Sequence, residues 1–339
     1  MPVKVIVDLT KIVENAKTVK KLLPKETKLC AVVKADAYGH GAAEVSNALY
    51  NYVDCFAVAT GEEAIELRYS GIDKPVLVLT KTLKQEADLA ISHGISLTAE
   101  SIDDLILYKK SAEYLRLKAK IHLKYDTGMR RQGFRSLKEL ERALVFCSNS
   151  KNLVLEGLYT HYAAPENEVS LERATDEFLL AVKIAKRYNK NVICHASASG
   201  GLLCGKFFDM VRVGILLYGY KPFLTDKISV SPAMKVLAPI VNRRVLKKGD
   251  HALYGEKTAD KDENICLVRY GYADGLMRKE TEGQFNNRCM DVTALTDVKT
   301  EDGYAVIMDD ADALSAKYGT ISYEILVKCA LRAQKCYLR

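Results

Sequence analysis

Nine cysteines stand in this sequence, yet no two form a CxxC pair and none joins a histidine at zinc-ligand spacing. A dithiol redox motif and a zinc module are thereby excluded, and no metal site is expected. Cys30, Cys55, Cys194 and Cys266 sit inside apolar runs, where a reduced thiol packs as a small hydrophobe. Lysine and arginine outnumber the acids by 50 to 43, for a net charge of +7, but the excess is spread along the chain. With no basic run interleaved with aromatics, nucleic acid is not an expected partner. No apolar stretch approaches the roughly 20 residues that cross a bilayer, so no membrane association is expected. The first residues, MPVKVIVDLTKIVENA, lack the basic-then-apolar pattern of a secretory signal. Internal repeats and low-complexity segments are missing too. Together these absences lead to the expectation of a soluble, reduced, cytoplasmic protein.

What the chain does have is alternation. Its 339 residues, 48% hydrophobic and 27% charged, are too many for one small core and suit a large α/β domain with a modest second one. From about residue 10 to 225, short apolar runs alternate with amphipathic stretches. The expected strands are 29–34, 55–59, 75–79, 95–99, 120–124, 155–161, 191–196 and 210–215. Thr60 to Glu63, Ser101 to Asp104 and Ser136 to Glu139 each have the spacing of a capping box that opens a helix. Eight strands alternating with helices predict a parallel sheet closed as a TIM-type (β/α) barrel. The rival is an open doubly wound sheet, but no GxGxxG follows the first strand. Near Ser231-Pro232 the texture turns β-rich, with turn clusters such as Lys247-Lys248-Gly249-Asp250. The expected organisation is a barrel over 10–228 and a C-terminal mostly-β domain over 229–339, which residues 1–9 join.

Chemistry collects first in Ala31 to Gly41, AVVKADAYGHG. A lysine delivered by a buried strand can lose its proton to a dry setting and attack an aldehyde. Taken alone, Lys34 better suits a strand end that snorkels to water. Barrel enzymes, however, carry their catalytic groups at the carboxyl ends of strands, and the other polar candidates fall there. Lys34 closes the first strand, Lys124 the fifth and His161 the sixth; Ser199 follows the seventh and Gly214 ends the eighth. Residues 197–201 (SASGG) and 212–215 (RVGI) offer hydroxyl and backbone N–H donors for a phosphate.

These segments resemble, in order and over nearly the whole chain, the motifs of the alanine racemase family, fold-type III pyridoxal-phosphate enzymes. AVVKADAYGHG is similar to the family's cofactor-lysine motif, with Asp36 where Asn is usual. The resemblance implies that Lys34 binds pyridoxal 5'-phosphate covalently and that Tyr38 contacts its phosphate. KYDTGMRRQG (124–133) implies that Arg131 braces the substrate carboxylate and that Lys124, carbamylated in some members, orients it. EGLYTHYA (156–163) supplies His161, and Ser199 falls on a phosphate-binding serine. MVRVGILLYG (210–219) places Arg212 at the pyridine nitrogen and the Gly214–Ile215 backbone at the phosphate. HALYGEKT (251–258) supplies Tyr254 as the catalytic tyrosine. GYADGLMR (271–278) puts Tyr272 near the carboxylate, and NRCMDVTAL (287–295) brings Cys289, Met290 and Asp291 into register.

Without its flanking residues Arg212 suits an exposed loop salt bridge as well as a cofactor contact, but in the matching position it carries an argument of its own. A permanently charged guanidinium donates a hydrogen bond and leaves a ring nitrogen unprotonated. That setting suits proton exchange at Cα better than transamination or decarboxylation. The resemblance thus implies a racemase interconverting L- and D-alanine, with Lys34 and Tyr254 as bases on opposite faces of the substrate. His161 and Arg212 would tune Tyr254, which would come from the other subunit of a homodimer. Tyr272 and Met290 would narrow the entrance, and D-alanine would feed peptidoglycan precursors. A serine or broader small-amino-acid racemase is the nearest alternative, because a small pocket rejects one added hydroxyl poorly. A fold-type III decarboxylase is opposed by Arg212 and left open by Cys289. A non-catalytic pyridoxal-phosphate carrier would lack a β-domain with Tyr254. The sequence departs from the family at Ala198, at Ala164-Pro165, at Arg130 and at Leu331, which stands where some members place a phosphate-touching tyrosine.

Overall fold

A parallel sheet covered on both faces needs strands buried along nearly their whole length, and the short apolar runs supply them. The structure, a computed structural model, describes residues 2–251, 254, 258–278, 288–296 and 298–339. After strand β1 (Lys4–Asp8) and helix α1 (Leu9–Lys21) comes β2 (Lys28–Val32), followed by a helical turn α2 (Lys34–Tyr38) and helix α3 (Ala42–Leu49). Then β3 (Cys55–Val58), α4 (Gly61–Tyr69), β4 (Val76–Val78), α5 (Lys84–Ser92), β5 (Ser96–Ala99) and α6 (Ile102–Leu115) alternate strictly. The pattern continues through β6 (Ala119–Lys124), α7 (Leu137–Ser148), β7 (Leu153–Tyr159), α8 (Glu168–Tyr188), β8 (Ile193–His195), α9 (Ser199–Leu203) and β9 (Met210–Val213).

Strands β2 to β9 form one parallel sheet in the order β8-β7-β6-β5-β4-β3-β2-β9. Its two ends meet through Asp209 N–H to Cys194 C=O at 3.0 Å and Arg212 N–H to Ser197 C=O at 2.9 Å. These bonds complete the eight-stranded barrel. The chain divides into two units, and this barrel belongs to the one built from Ile12–Ala35 and Ala42–Val230. Thr60 makes a full capping box with Glu63 at the start of α4. Ser101 and Ser136 cap α6 and α7 by accepting from Asp104 and Glu139 N–H. In those two, however, the acid reaches back one residue further, to the N–H of Glu100 and of Arg135.

The other unit comprises Met1–Lys11, Asp36–Gly41 and Ser231–Arg339. Its long strand β10 (Met234–Leu246) pairs antiparallel with β1 and with β11 (Glu263–Val268), which in turn pairs with β12 (Thr293–Thr296). Strands β13 (Thr300–Glu301) and β14 (Tyr304–Met308) form a hairpin on β10, and β15 (Gln334–Leu338) pairs parallel with β1. Two helices, α10 (Ala311–Tyr318) and α11 (Ser322–Cys329), sit between β14 and β15. The β-rich reading of the sequence passed over them, although both ends of α10 carry signals. Asp310 caps its first turn and Gly319 closes it in the left-handed conformation. No helix among the described residues is long and apolar enough to cross a membrane.

The turn α2 is left-handed. Ala35, Asp36, Ala37 and Tyr38 all have φ between 50° and 55°, which costs about 1–2 kcal/mol per residue for L-amino acids. Such a run persists only when its surroundings over-determine it. Gly41 N–H returns to Asp36 C=O at 2.9 Å and His40 N–H to Ala37 C=O at 3.1 Å. Lys335 pairs with the Asp36 carboxylate, and Ala37 is fully buried. Gly39 continues the turn at φ +82°, and a Cβ there would lie 2.6 Å from the Leu326 carbonyl oxygen of α11. Gly39→Ala is therefore expected to destabilise this unit by about 2 kcal/mol. A urea midpoint equal to that of the wild type would contradict the close approach.

Candidate active site

Lys34 emerges where β2 gives way to the left-handed turn, and the backbone around it is clamped from the next strand. Val33 N–H donates to Ala57 C=O at 2.9 Å. Ala35 N–H donates to Glu63 Oε1 at 2.6 Å, while Glu63 Oε2 takes the N–H of Ala59 at 2.6 Å and of Thr60 at 3.3 Å. The capping acid of α4 thus ties the residue after Lys34 to the end of β3. The amine is partly buried, and this burial, with the charge of Arg131, lowers its pKa; Glu63 opposes the shift. A larger free-amine fraction follows, as a nucleophile or base requires.

Arg212, on β9, is the centre of the barrel interior. Its guanidinium is almost fully buried. It donates to His195 Nδ1 at 2.6 Å, to Thr160 C=O at 2.8 Å, to Ala196 C=O at 3.0 Å and to His161 Nδ1 at 3.3 Å. The Tyr159 ring lies 5.1 Å from it and 5.5 Å from Lys124 Nζ, a cation–π arrangement on both counts. Among the described residues, the Nε–H of Arg212 has no protein acceptor.

At the ends of β6 and β7, a small pocket is lined by Lys124, Arg131, Gln132, Thr160 and His161, with Tyr125, Asp126 and Met129. Lys124 Nζ donates to Gln132 Oε1 at 2.9 Å. Burial, then Arg131 and Arg212, lower its pKa to about 8. Burial and four nearby cations, Arg212, Arg131, Lys124 and Lys34, lower His161 to about 3. His161 is therefore neutral at physiological pH. Because its Nδ1 accepts from Arg212, its proton sits on Nε2.

Ser199 opens α9 and is buried, and buried Gly214 and Ile215 lead into a 3-10 turn after β9. In the other unit, Tyr38 is buried with its ring 5.9 Å from that of Tyr323. Tyr254 is 73% exposed; its neighbours 252–253 and 255–257 in HALYGEKT lie outside the described residues, as does Asn287 of NRCMDVTAL. Tyr272 and Met290 are exposed and are joined through the backbone. Tyr272 N–H donates to Cys289 C=O at 3.2 Å and Ala273 N–H to Met290 C=O at 3.0 Å. Asp291 pairs with Arg332 at 2.8 Å. The structure thus gathers Lys34, Lys124, Arg131, His161 and Arg212 as electrostatic neighbours in the barrel, and Tyr272, Cys289 and Met290 in the β-rich unit. No group of three or more His, Cys, Asp or Glu among the described residues is placed to hold a metal ion.

Sequence reasoning missed Glu63 as a clamp, Gln132 as the partner of Lys124, and His122, His195 and Glu156 altogether. A signal for His122 existed. It stands two residues before Lys124 on a short strand, hence on the same interior face.

A barrel carrying a half-buried lysine at one strand end, with a buried arginine on a neighbouring strand and a following β-rich unit, is the build of an amino-acid racemase. The family description "Alanine racemase, N-terminal domain" matches residues 7–222, and "Alanine racemase, C-terminal domain" matches residues 233–337. The alanine racemase of Staphylococcus saprophyticus is 34% identical, across 98% of this chain and 93% of its own. That of Streptococcus pyogenes serotype M6 is 36% identical across 80% of this chain and 75% of its own. Among solved structures, an alanine racemase of Clostridium difficile 630 superposes with a TM-score of 0.93 at 29% identity, covering 100% of this chain and 96% of that one. One from Bacillus anthracis, solved with bound L-Ala-P, gives 0.89 at 27% identity, covering 100% and 95%. The chain belongs to the alanine racemase family, and it is an amino-acid racemase.

The Lys124 setting has a measurable consequence. Its folded pKa of about 8 lies below the ordinary 10.5, so the unfolded chain binds more protons between these values. Stability therefore gains a contribution as pH rises through that window. Lys124→Met is expected to lose that part of the rise in urea midpoint between pH 8 and 10.5. An unchanged slope would contradict the buried, cation-flanked lysine.

Proposed function

We propose that this racemase interconverts L- and D-alanine with pyridoxal 5'-phosphate as cofactor, using Lys34 and Tyr254 as its two bases. The observation that carries the reading is the pairing of a partly buried, pKa-lowered amine at Lys34 with a donor-only cation at Arg212. The residues present fit the cofactor's chemistry. An amine stands ready for its aldehyde, and the unsatisfied Nε–H of Arg212 suits an acceptor nitrogen. The Ser199 hydroxyl, the Gly214–Ile215 backbone and Tyr38 would hold its phosphate. When bound, the cofactor draws electrons from the substrate nitrogen and so acidifies the Cα–H bond.

The chain's own residues do the rest. Lys34 takes or returns the Cα proton on one face, and the Tyr254 phenol oxygen does so on the other. Tyr254 is exposed on its unit, which agrees with service to Lys34 of another subunit in a homodimer. His161, neutral and protonated on Nε2, offers a hydrogen bond that stabilises a phenolate. Arg131 holds the substrate carboxylate, and Lys124, itself held by Gln132, keeps that end of the pocket positive. Cys289 and Asp291 support Tyr272 and Met290, which narrow the approach to a small side chain. The enzyme acts in the cytoplasm, supplying D-alanine for peptidoglycan precursors.

Lys34→Ala should abolish racemisation and the bound-cofactor absorbance together. Tyr254→Phe should keep that absorbance and slow solvent deuterium exchange at Cα of one alanine enantiomer by about 10²-fold to 10⁴-fold. Exchange with the opposite enantiomer should persist. Equal, mild losses with both enantiomers would overturn the assignment of one base to each face.

A further inference from the structure

Arg212 carries a full positive charge inside the barrel, yet among the described residues no carboxylate touches its guanidinium. A buried cation needs compensation, and a hydrogen-bonded path leads to it. We propose that Glu156 is the counter-charge of Arg212, connected through His195 and His122 as a relay of fixed proton order, and that Glu156 is a positioning residue for Arg212.

The proton order follows from one fact about arginine, which only donates. His195 Nδ1 lies 2.6 Å from Arg212 Nη1 and must accept. The single proton of a neutral His195 therefore sits on Nε2, which lies 2.9 Å from His122 Nδ1 and donates to it. His122 then has a bare Nδ1, and its own proton sits on Nε2, 3.1 Å from Glu156 Oε2. An imidazolium at His122 is ruled out, because its Nδ1–H would leave His195 no place for a proton. The His122–Glu156 contact is thus a charge-assisted hydrogen bond from a neutral ring. Burial and the Arg212 charge push the pKa of His195 well below its ordinary value, in keeping with a neutral ring. Burial would raise the Glu156 carboxyl, but hydrogen bonds from His122 and the Ser96 hydroxyl, with the charge of Lys120, hold it below its ordinary range.

Four local features build this path. The β6–β7 register shifts between Ile121 and His122, pairing them with Leu155 and Gly157. Glu156 is the extra residue of that bulge, a device that re-aims a side chain. Gly157 comes next, where a Cβ would lie 2.1 Å from His122 Nδ1; only glycine leaves room for the ring. Finally, Tyr159 stacks on His195 with centroids 4.8 Å apart and planes 2° from parallel, and Ser96 donates to Glu156 Oε2.

The consequence for catalysis rests on Arg212 facing the cofactor ring, whereas the proton order does not. The test is ¹⁵N NMR of the histidine rings in the holoenzyme, with assignment by single His→Asn variants, followed by Glu156→Gln. Expected are protonated Nε2 and bare Nδ1 on both His122 and His195. In Glu156→Gln the cofactor absorption band should shift, and kcat should fall about tenfold with KM changed less than about twofold. A proton on Nδ1 of either ring, or an imidazolium, overturns the relay. A Glu156→Gln enzyme with wild-type absorbance and kcat overturns the positioning role. Should that variant fold poorly, Glu156→Asp replaces it, with partial retention of the wild-type band and kcat expected and full retention overturning the role. If alanine is not the substrate, kcat falls silent while the nitrogen shifts and the absorption band still decide.

Discussion

The barrel interior is organised by the need to surround one buried guanidinium with acceptors. Arg212 cannot give up its proton and cannot accept a hydrogen bond, so every contact is dictated from its side. Two carbonyls and two histidine Nδ1 atoms face it. That single constraint fixes the tautomers of His161 and His195 and keeps both rings neutral. The same charge contributes to the lowered pKa of Lys124. An acidic residue in direct contact would have cancelled this field. With Glu156 two imidazoles away, the charge is compensated while the mouth of the barrel stays positive.

One strand carries much of this. From Glu156 to His161 the chain contributes a carboxylate, a gap for a ring, an aromatic platform, a carbonyl and an imidazole. Tyr159 is held at its hydroxyl by Thr98 Oγ1 at 2.9 Å and Leu79 C=O at 3.1 Å. Its ring then serves His195, Arg212 and Lys124 at once. The Glu-Gly pair that opens EGLYTHYA acquires a physical reason: the acid ends the relay, and the glycine makes room for the ring that completes it.

The barrel was readable because each strand is a short apolar run set off by a capped helix, and its ends fell within about two residues of expectation. Lys34, Lys124, His161 and Arg212 were readable because chemistry in such barrels gathers at strand ends. His122, His195 and Glu156 escaped because their roles come from contacts between strands far apart in sequence, and a bulge is invisible to a period-two pattern. The left-handed turn was hidden for a different reason. Ala35 to Tyr38 contains no glycine or asparagine, so composition gives no hint of positive φ. Helices α10 and α11 were passed over because strand-like runs on either side set the impression for the whole region.

Strand β1 lies between β10 and β15, and β15 is formed by residues 334–338, far along the chain. On the ribosome, that sheet cannot close until β15 has been made. The segment Asp36–Gly41 packs with the same late-arriving unit, so the turn beside Lys34 gains its support only then. A nascent chain could assemble most of the barrel while β1 waits for β10 and β15. Formation of the turn that follows the lysine is thereby timed by the arrival of β15, a slow, long-range closure of the kind that chaperones guard.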